Sequence, residues 1–246
     1  MPNFEKNYDF PAGEILLFNK GLNWTSFDVV NKIRYHLCKK LGIKKLKVGH
    51  AGTLDPLATG LIILCTGKAT KKIEEIQLHE KEYVATLKIG ATTPSFDRET
   101  EEDASFDYKH ITRELLEETL QHFQGETDQV PPVFSAVKVK GKRAFDYARK
   151  GEEVKLRPKK ITIHNITIEE FDLPSVKIRV RCGKGTYIRA LARDIGKKLN
   201  CGAYLTGLER TQIGPHKIEH AFEVEHFLEK LHITSSAQKI SSEANG

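Results

Sequence analysis

Hydrophobic positions along this chain recur with two different spacings, and each spacing marks an element. EILLFNK (14–20) reads as a short strand. SFDVVNKIRYHLCKKLG (26–42) then spaces Phe27, Val30, Ile33, Leu37 and Leu41 along one helical face, with Thr25 or Ser26 placed to cap it. KATKKIEEIQ (68–77) is a short basic helix, and TRELLEETLQHF (112–123) is a longer one. EYVATLKIG (82–90) alternates instead, which puts Tyr83, Ala85, Leu87 and Ile89 on one face of a strand. KKITIHNITIEEF (159–171) and SVKIRVRCG (175–183) are two further strands, and their link through Leu173-Pro174 predicts antiparallel neighbours. YIRALARDIGKKLN (187–200) returns to helical spacing, with Ile188, Leu191, Ile195 and Leu199 on one stripe. No βαβ rhythm emerges. The pattern predicts an α+β fold with a mixed, largely antiparallel sheet flanked by helices.

Two segments depart from this pattern. AVKVKGKRAFDYARKGEEVKLRPKK (136–160) is basic and poor in large aliphatics, a hairpin-and-helix excursion from the core. ITSSAQKISSEANG (233–246) is polar, rich in serine and without periodicity, which predicts a disordered tail.

Charge then narrows the class of partner. The 246 residues hold 39 Lys and Arg against 33 Asp and Glu, a net +6. Such an excess fits a polyanion, although it bears on association and not on fold. The four cysteines, Cys38, Cys65, Cys182 and Cys201, form no CxxC pair, so neither a zinc ribbon nor a disulfide scaffold is expected. The N-terminus lacks a basic region followed by an apolar one, and no apolar run approaches the roughly 20 residues of a membrane span. Reduced thiols in a cytoplasmic protein are the expectation.

The candidate chemistry concentrates in KVGHAGTLDPLATGLIILCTGKATK (47–71). It is not a phosphate loop: six residues separate Gly60 from Gly67 where a Walker A loop has about four, and Ala69 follows Lys68. Asp55 before Pro56 has two readings. It suits a helix start, with Asp55 as N-cap and Pro56 at the first helical position. Equally, Gly49 and Gly52 allow a ligand close to the backbone, His50 lies in the same loop, and Asp55 becomes a reagent. Tyr83 is either a core tyrosine or part of a pocket. Tyr187 and Arg189, in CGKGTYIRALARD, can face one pocket only where strand gives way to helix, since they diverge by about 200° once helical. Basic residues (Lys44, Lys45, Lys47, Lys68, Lys71 and Lys72 among them) cluster near glycine loops and aromatics. That grouping is either solvated surface or a groove that tracks phosphates between stacking platforms.

GHAGTLDPLATGLIILCTGKATK, KEYVATLKIG, QVPPVFSAVKVKGKRAFDYARKG, GKGTYIRALARDIG and GAYLTGLERTQIG resemble, in order, successive signatures of the TruB family of bacterial tRNA pseudouridine synthases. The resemblance covers roughly residues 13–215. It implies a pseudouridine synthase fold and a cofactor-free, metal-free isomerase acting on uridine 55 in the T-loop of tRNA. It implies that Asp55 is the nucleophile, that Tyr83 lies against the base as proton acceptor, and that Arg189 pairs with Asp55. Tyr187 and Leu208 would line the pocket, while His50 and Lys68 would contact the RNA. It further implies a domain plan: an N-terminal extension (1–12), a catalytic domain (13–215) with a thumb insertion (129–157), and a stub (216–231) in place of a full C-terminal RNA-binding (PUA) module. The tail (232–246) follows. Guide-RNA-dependent relatives rely on that module, so a stand-alone monomer with no protein partner and no membrane contact is expected. The family's usual TDTxDxxG reads TPSFDRET here (93–100), keeping Thr93 and Asp97. Two rival functions stay open at this point: an RNA-folding helper without chemistry, and a pseudouridine synthase with another RNA target.

Overall fold

The computed structural model describes residues 7–231 except 136, 140 and 153, so the expected tail lies outside the described residues. In chain order the elements begin β1 (Ile15–Lys20), α1 (Ser26–Leu41), β2 (Val48–His50), β3 (Ala58–Thr66) and, after a 3-10 turn (Gly67–Lys72), α2 (Ile73–Leu78). Next come β4 (Lys81–Ile89), β5 (Ala91–Thr92), β6 (Ala104–Ser105), α3 (Arg113–Gln121), β7 (Gly125–Gln129), β8 (Lys138–Val139), β9 (Lys142–Arg143) and α4 (Ala144–Ala148). The last group is β10 (Lys159–Asp172), β11 (Ser175–Cys182), α5 (Ile188–Lys198), β12 (Ala203–Ile213), β13 (His216–Lys217) and β14 (Phe222–Glu223), followed by a helical stretch over 224–231. Every pairing with a described register is antiparallel except β1 with β14, in line with the α+β expectation.

The chain divides into two compact units, one formed by residues up to His79 with those from Glu209 onward, the other by Glu80–Leu208. In the first unit the strand order is β14-β1-β3-β12, with β2 on β3 and β13 on β12. Strand β3 is buried on both faces. One face packs Ile62 and Leu64 with Val29, Val30, Ile33 and Leu37 of α1, while the other packs Leu61, Ile63 and Cys65 with Ala69, Ile76 and Ile213. That is why LIILC reads as an unbroken apolar run and not as an alternation. Helix α1 starts where the sequence indicated: the Thr25 side chain accepts from the Asp28 amide, and Asp28 returns a bond to the Thr25 amide. Its inward stripe is rotated from the expected one. Ile33 and Leu37 set the buried direction, Val29 and Val30 join them, and Phe27 and Leu41 point away, 60% and 37% exposed. Successive helical residues step by about 100°, so a stripe drawn through Phe27 misses the core. Phe10, ahead of the expected catalytic domain, is buried in this same core.

In the second unit the order is β12-β4-β11-β10-β7, and α5 packs against β4 and α3. Strand β4 alternates as predicted, with Tyr83, Ala85, Leu87 and Ile89 inward. The stripe Ile188, Leu191, Ile195 and Leu199 is buried in full. The basic excursion folds as the β8–β9 hairpin followed by α4.

Candidate active site

Of the seven residues singled out above, the first unit carries His50, Asp55 and Lys68; the second carries Tyr83, Tyr187, Arg189 and Leu208.

Asp55 is not a helix cap. Residues 51–57 hold no helix, and Asp55 instead opens a turn in which its carbonyl accepts from the Ala58 amide at 3.0 Å, immediately before β3. The loop is fixed residue by residue through its backbone. The Ala51 amide donates to Ile63 O (2.9 Å), which extends the β2–β3 ladder past His50. Arg210, 1% exposed, donates from Nη2 to Gly52 O (3.1 Å), from Nη1 to Thr53 O (3.3 Å) and from Nε to Leu61 O (2.8 Å). The Ser26 hydroxyl accepts from the Leu54 amide (2.8 Å) and donates to Leu54 O (3.2 Å). Pro56 O accepts from the Asn23 amide (2.9 Å) and, at 3.5 Å, from the Lys20 ammonium. Lys20 is wholly buried, and its other bonds go to the carbonyls of Gly21 (2.9 Å) and Trp24 (2.7 Å).

Two buried cations thus flank Asp55, each satisfied by carbonyl oxygens in place of a carboxylate. Burial pushes the Lys20 ammonium down to about 8; the Asp55 charge opposes that shift, and Arg210 adds to it. The sequence reading missed both residues. Lys20 ends a strand and Arg210 sits in a polar stretch, so each looks like ordinary surface. The nearest signal was Gly60, whose φ of +101° and whose absent Cβ, which would lie 2.4 Å from Arg210 O, allow β12 to lie against β3 there.

His50 emerges from the end of β2 with its Nδ1 buried and without a hydrogen-bond partner. Burial is the main reason that its pKa falls below the ordinary histidine value; the Gly52 carbonyl opposes this and Arg210 reinforces it. The imidazole is therefore neutral at pH 7. Lys68 is exposed on the 3-10 turn after β3.

In the second unit Arg189, on the first turn of α5, is 5% exposed. Its Nη1 donates to Ser95 O (3.2 Å), its Nη2 to Phe134 O (2.8 Å), and its Nε lies 3.5 Å from Asp97 Oδ2. Asp97 is itself buried and accepts from the Glu99 amide at 2.9 Å. The altered loop 93–100 is a closed network in which the Ser95 hydroxyl pairs with Thr100 Oγ1 and the Thr93 hydroxyl donates to Asp97 O. Asp97 therefore holds Arg189.

Tyr187 is the N-cap of α5, with extended backbone, and helix begins at Ile188. The strand-to-helix junction falls where the shared-pocket reading of Tyr187 and Arg189 required it. The buried side chain of Gln129, the last residue of β7, clamps this junction: its Oε1 accepts from the Tyr187 amide (2.8 Å) and its Nε2 donates to Tyr187 O (3.1 Å). Nothing in the sequence pattern marked it. Tyr83 is 9% exposed on β4 opposite Val180, and Leu208 is half-buried on β12.

The described residues bring together no group of three His, Cys, Asp or Glu suited to a metal, and no helix among them is long and apolar enough to cross a membrane. Burial pushes the Cys65 and Cys182 thiols up to about 11, away from thiolate chemistry.

The family model for the N-terminal domain of TruB family pseudouridylate synthases matches residues 39–188, and that for the C-terminal domain of tRNA pseudouridylate synthase B matches 189–241. The chain is 65% identical over 223 residues to the tRNA pseudouridine synthase B of Phocaeicola vulgatus, covering 91% of this chain and 95% of that protein. It is 51% identical over 224 residues to the protein of that name from Flavobacterium johnsoniae, covering 91% and 98%. Among solved structures, a chain of a Cbf5-Nop10-Gar1 complex matches with a TM-score of 0.69 at 27% identity, over 93% of this chain and 58% of that one. With that model spanning residues 39–188 and relatives alike along nearly their whole length, this chain belongs to the TruB family of pseudouridylate synthases.

Proposed function

We propose that this chain isomerises uridine to pseudouridine in tRNA, at position 55 of the T-loop, acting in the cytoplasm as a stand-alone monomer. The observation that carries the reading is the state of Asp55: it caps no helix, and backbone bonds on both sides hold its loop still. An acid whose neighbours are immobilised in this way is spared the reorganisation that a mobile nucleophile must undergo.

The target base leaves its stack, at a cost of a few kcal/mol. Tyr83, Tyr187 and Leu208 line the pocket that receives it and recover part of that cost. Asp55 attacks the nucleotide and the N-glycosidic bond breaks. The uracil turns, a bond forms between its carbon 5 and the ribose as the Asp55 carboxylate is released from the nucleotide, the carbon 5 proton leaves to Tyr83, and N1 takes up a proton in its place. Atoms and electrons balance, since the product is an isomer of the substrate. Arg189, oriented by Asp97, pairs with Asp55. His50 contacts the RNA, and Lys68 offers a charge to its backbone.

A T-arm hairpin with tritium at carbon 5 of the target uridine tests this. Wild type releases tritium; Asp55→Asn binds the hairpin without release. Release by both proteins would take the role from Asp55, and release by neither would leave binding alone. A hairpin with the uridine moved to another loop tests the choice of target.

A further inference from the structure

We infer that the outward face of α1, with the lysine run that follows it, docks the backbone of the substrate tRNA beyond the nucleotides held at the Asp55 loop. The inference rests on tRNA being the substrate.

The first observation is an apolar surface that the fold leaves uncovered. Phe27 is 60% exposed and Tyr35 63%, with Leu22 beside the helix start at 54% and Leu41 and Ile43 at 37% each. Phe27, Asn31, Arg34 and Tyr35 lie three or four residues from one another along the chain, turned away from the stripe that faces the core, and so share one side of the helix. An aromatic face left open in this way marks an interaction site more often than chance.

The second observation is the charge around it. Residues 27–47 hold seven Lys or Arg and a single acid, Asp28; the rest of the chain holds 32 basic and 32 acidic residues. The whole net charge of +6 therefore resides in one helix and the loop behind it. Asp28 is tied up in the Thr25 cap. Lys32 is engaged with Glu225 and the Trp24 ring, and Lys40 donates to Leu231 O. Among the described residues, Arg34, Lys39, Lys44, Lys45 and Lys47 make no ion pair with a carboxylate. Cations in excess, set among exposed aromatics, match a phosphate backbone with unstacked bases better than they match an apolar protein surface.

The third observation is continuity. The Ser26 side chain is bonded to both the amide and the carbonyl of Leu54, so the N-terminal end of α1 is fastened to the residue before Asp55. The helix leads about 24 Å from there. RNA delivered to the loop has this face as its next support.

The test compares two RNAs, full-length tRNA and the isolated T-arm hairpin, with wild type, the surface variant R34Q/K39Q/K44Q/K45Q and Tyr35→Ala. For the surface variant, Kd for the full tRNA should weaken about tenfold or more at 0.1 M salt, and the slope of log K against log salt should fall by about 2 to 3. Tyr35→Ala should weaken it about fivefold, the loss of one stacking contact. Binding and tritium release with the hairpin should be unchanged, and melting temperatures should stay at the wild-type value. A wild-type salt slope in the surface variant, or an equal loss of affinity for hairpin and full tRNA, would overturn the inference. Failure of wild type to release tritium would count against the proposed reaction instead, and the affinity comparison would still report on the surface.

Discussion

The carboxylate of the first unit and the guanidinium of the second are held by opposite means. Asp55 sits among neighbours fixed through their peptide groups: Arg210, Ser26, Asn23 and Lys20 grip residues 52–56 by the backbone. Arg189 is fixed through its own side chain, shared between Asp97, Ser95 O and Phe134 O. A short acid can be aimed only by aiming its loop, whereas a long cation can be aimed directly. One of the bonds on Arg189 comes from Phe134, inside the thumb segment. The second arrangement thus includes a part expected to close on RNA.

Breaking each arrangement at its weakest point tests this contrast. The largest effect belongs to Asp55→Asn, which should lower single-turnover rates at least a thousandfold while leaving tRNA affinity within about threefold of wild type. Arg210→Met comes next. It strands three carbonyls, that of Leu61 in the core, and should cost about 3 kcal/mol in urea unfolding, and its surviving folded fraction should turn over slowly because the loop is loose. Asp97→Asn should be milder, lowering kcat about tenfold with little change in melting temperature, because Arg189 keeps its two carbonyl partners. An equal effect of the Arg210 and Asp97 changes on melting would erase the distinction between the two regions.

The last effect concerns pH. The folded Lys20 titrates near 8 against 10.5 ordinarily, so between those values the unfolded chain binds a proton that the folded one lacks. Stability should therefore rise with pH across that window, and Lys20→Met should abolish the rise. Urea midpoints measured from pH 7.5 to 10.5 would show it.

What the sequence disclosed follows from which forces act locally. Helix α1 and its Thr25 cap, the alternation of β4 and the stripe of α5 depend on spacing within one element, and they were legible. The phase of α1 was not, because Phe27 and Val29–Val30 compete for the inside and only β1, β3 and the C-terminal helical stretch decide between them. Strand β12 escaped notice because Gly207 and five polar residues interrupt its apolar pattern. Arg210, Lys20, Asp97 and Gln129 share a different reason. Each is a polar side chain whose partners lie far off in sequence or in an irregular loop, and polarity alone predicts surface. Asp55 as cap or reagent could not be decided from Asp-Pro, since both readings want an extended residue before proline; the turn that follows decides against the cap.

Gln129 carries one more consequence. It ends β7 and begins the thumb segment, and its amide holds the peptide of Tyr187 from both sides. The expected root of the thumb and the start of α5 are thus joined through Gln129 as one lever. A strap swinging down onto RNA would pull on the backbone of Tyr187. Length added at the tip, around Gly141, would leave that lever intact, whereas one residue inserted at its fulcrum would uncouple grip from catalysis.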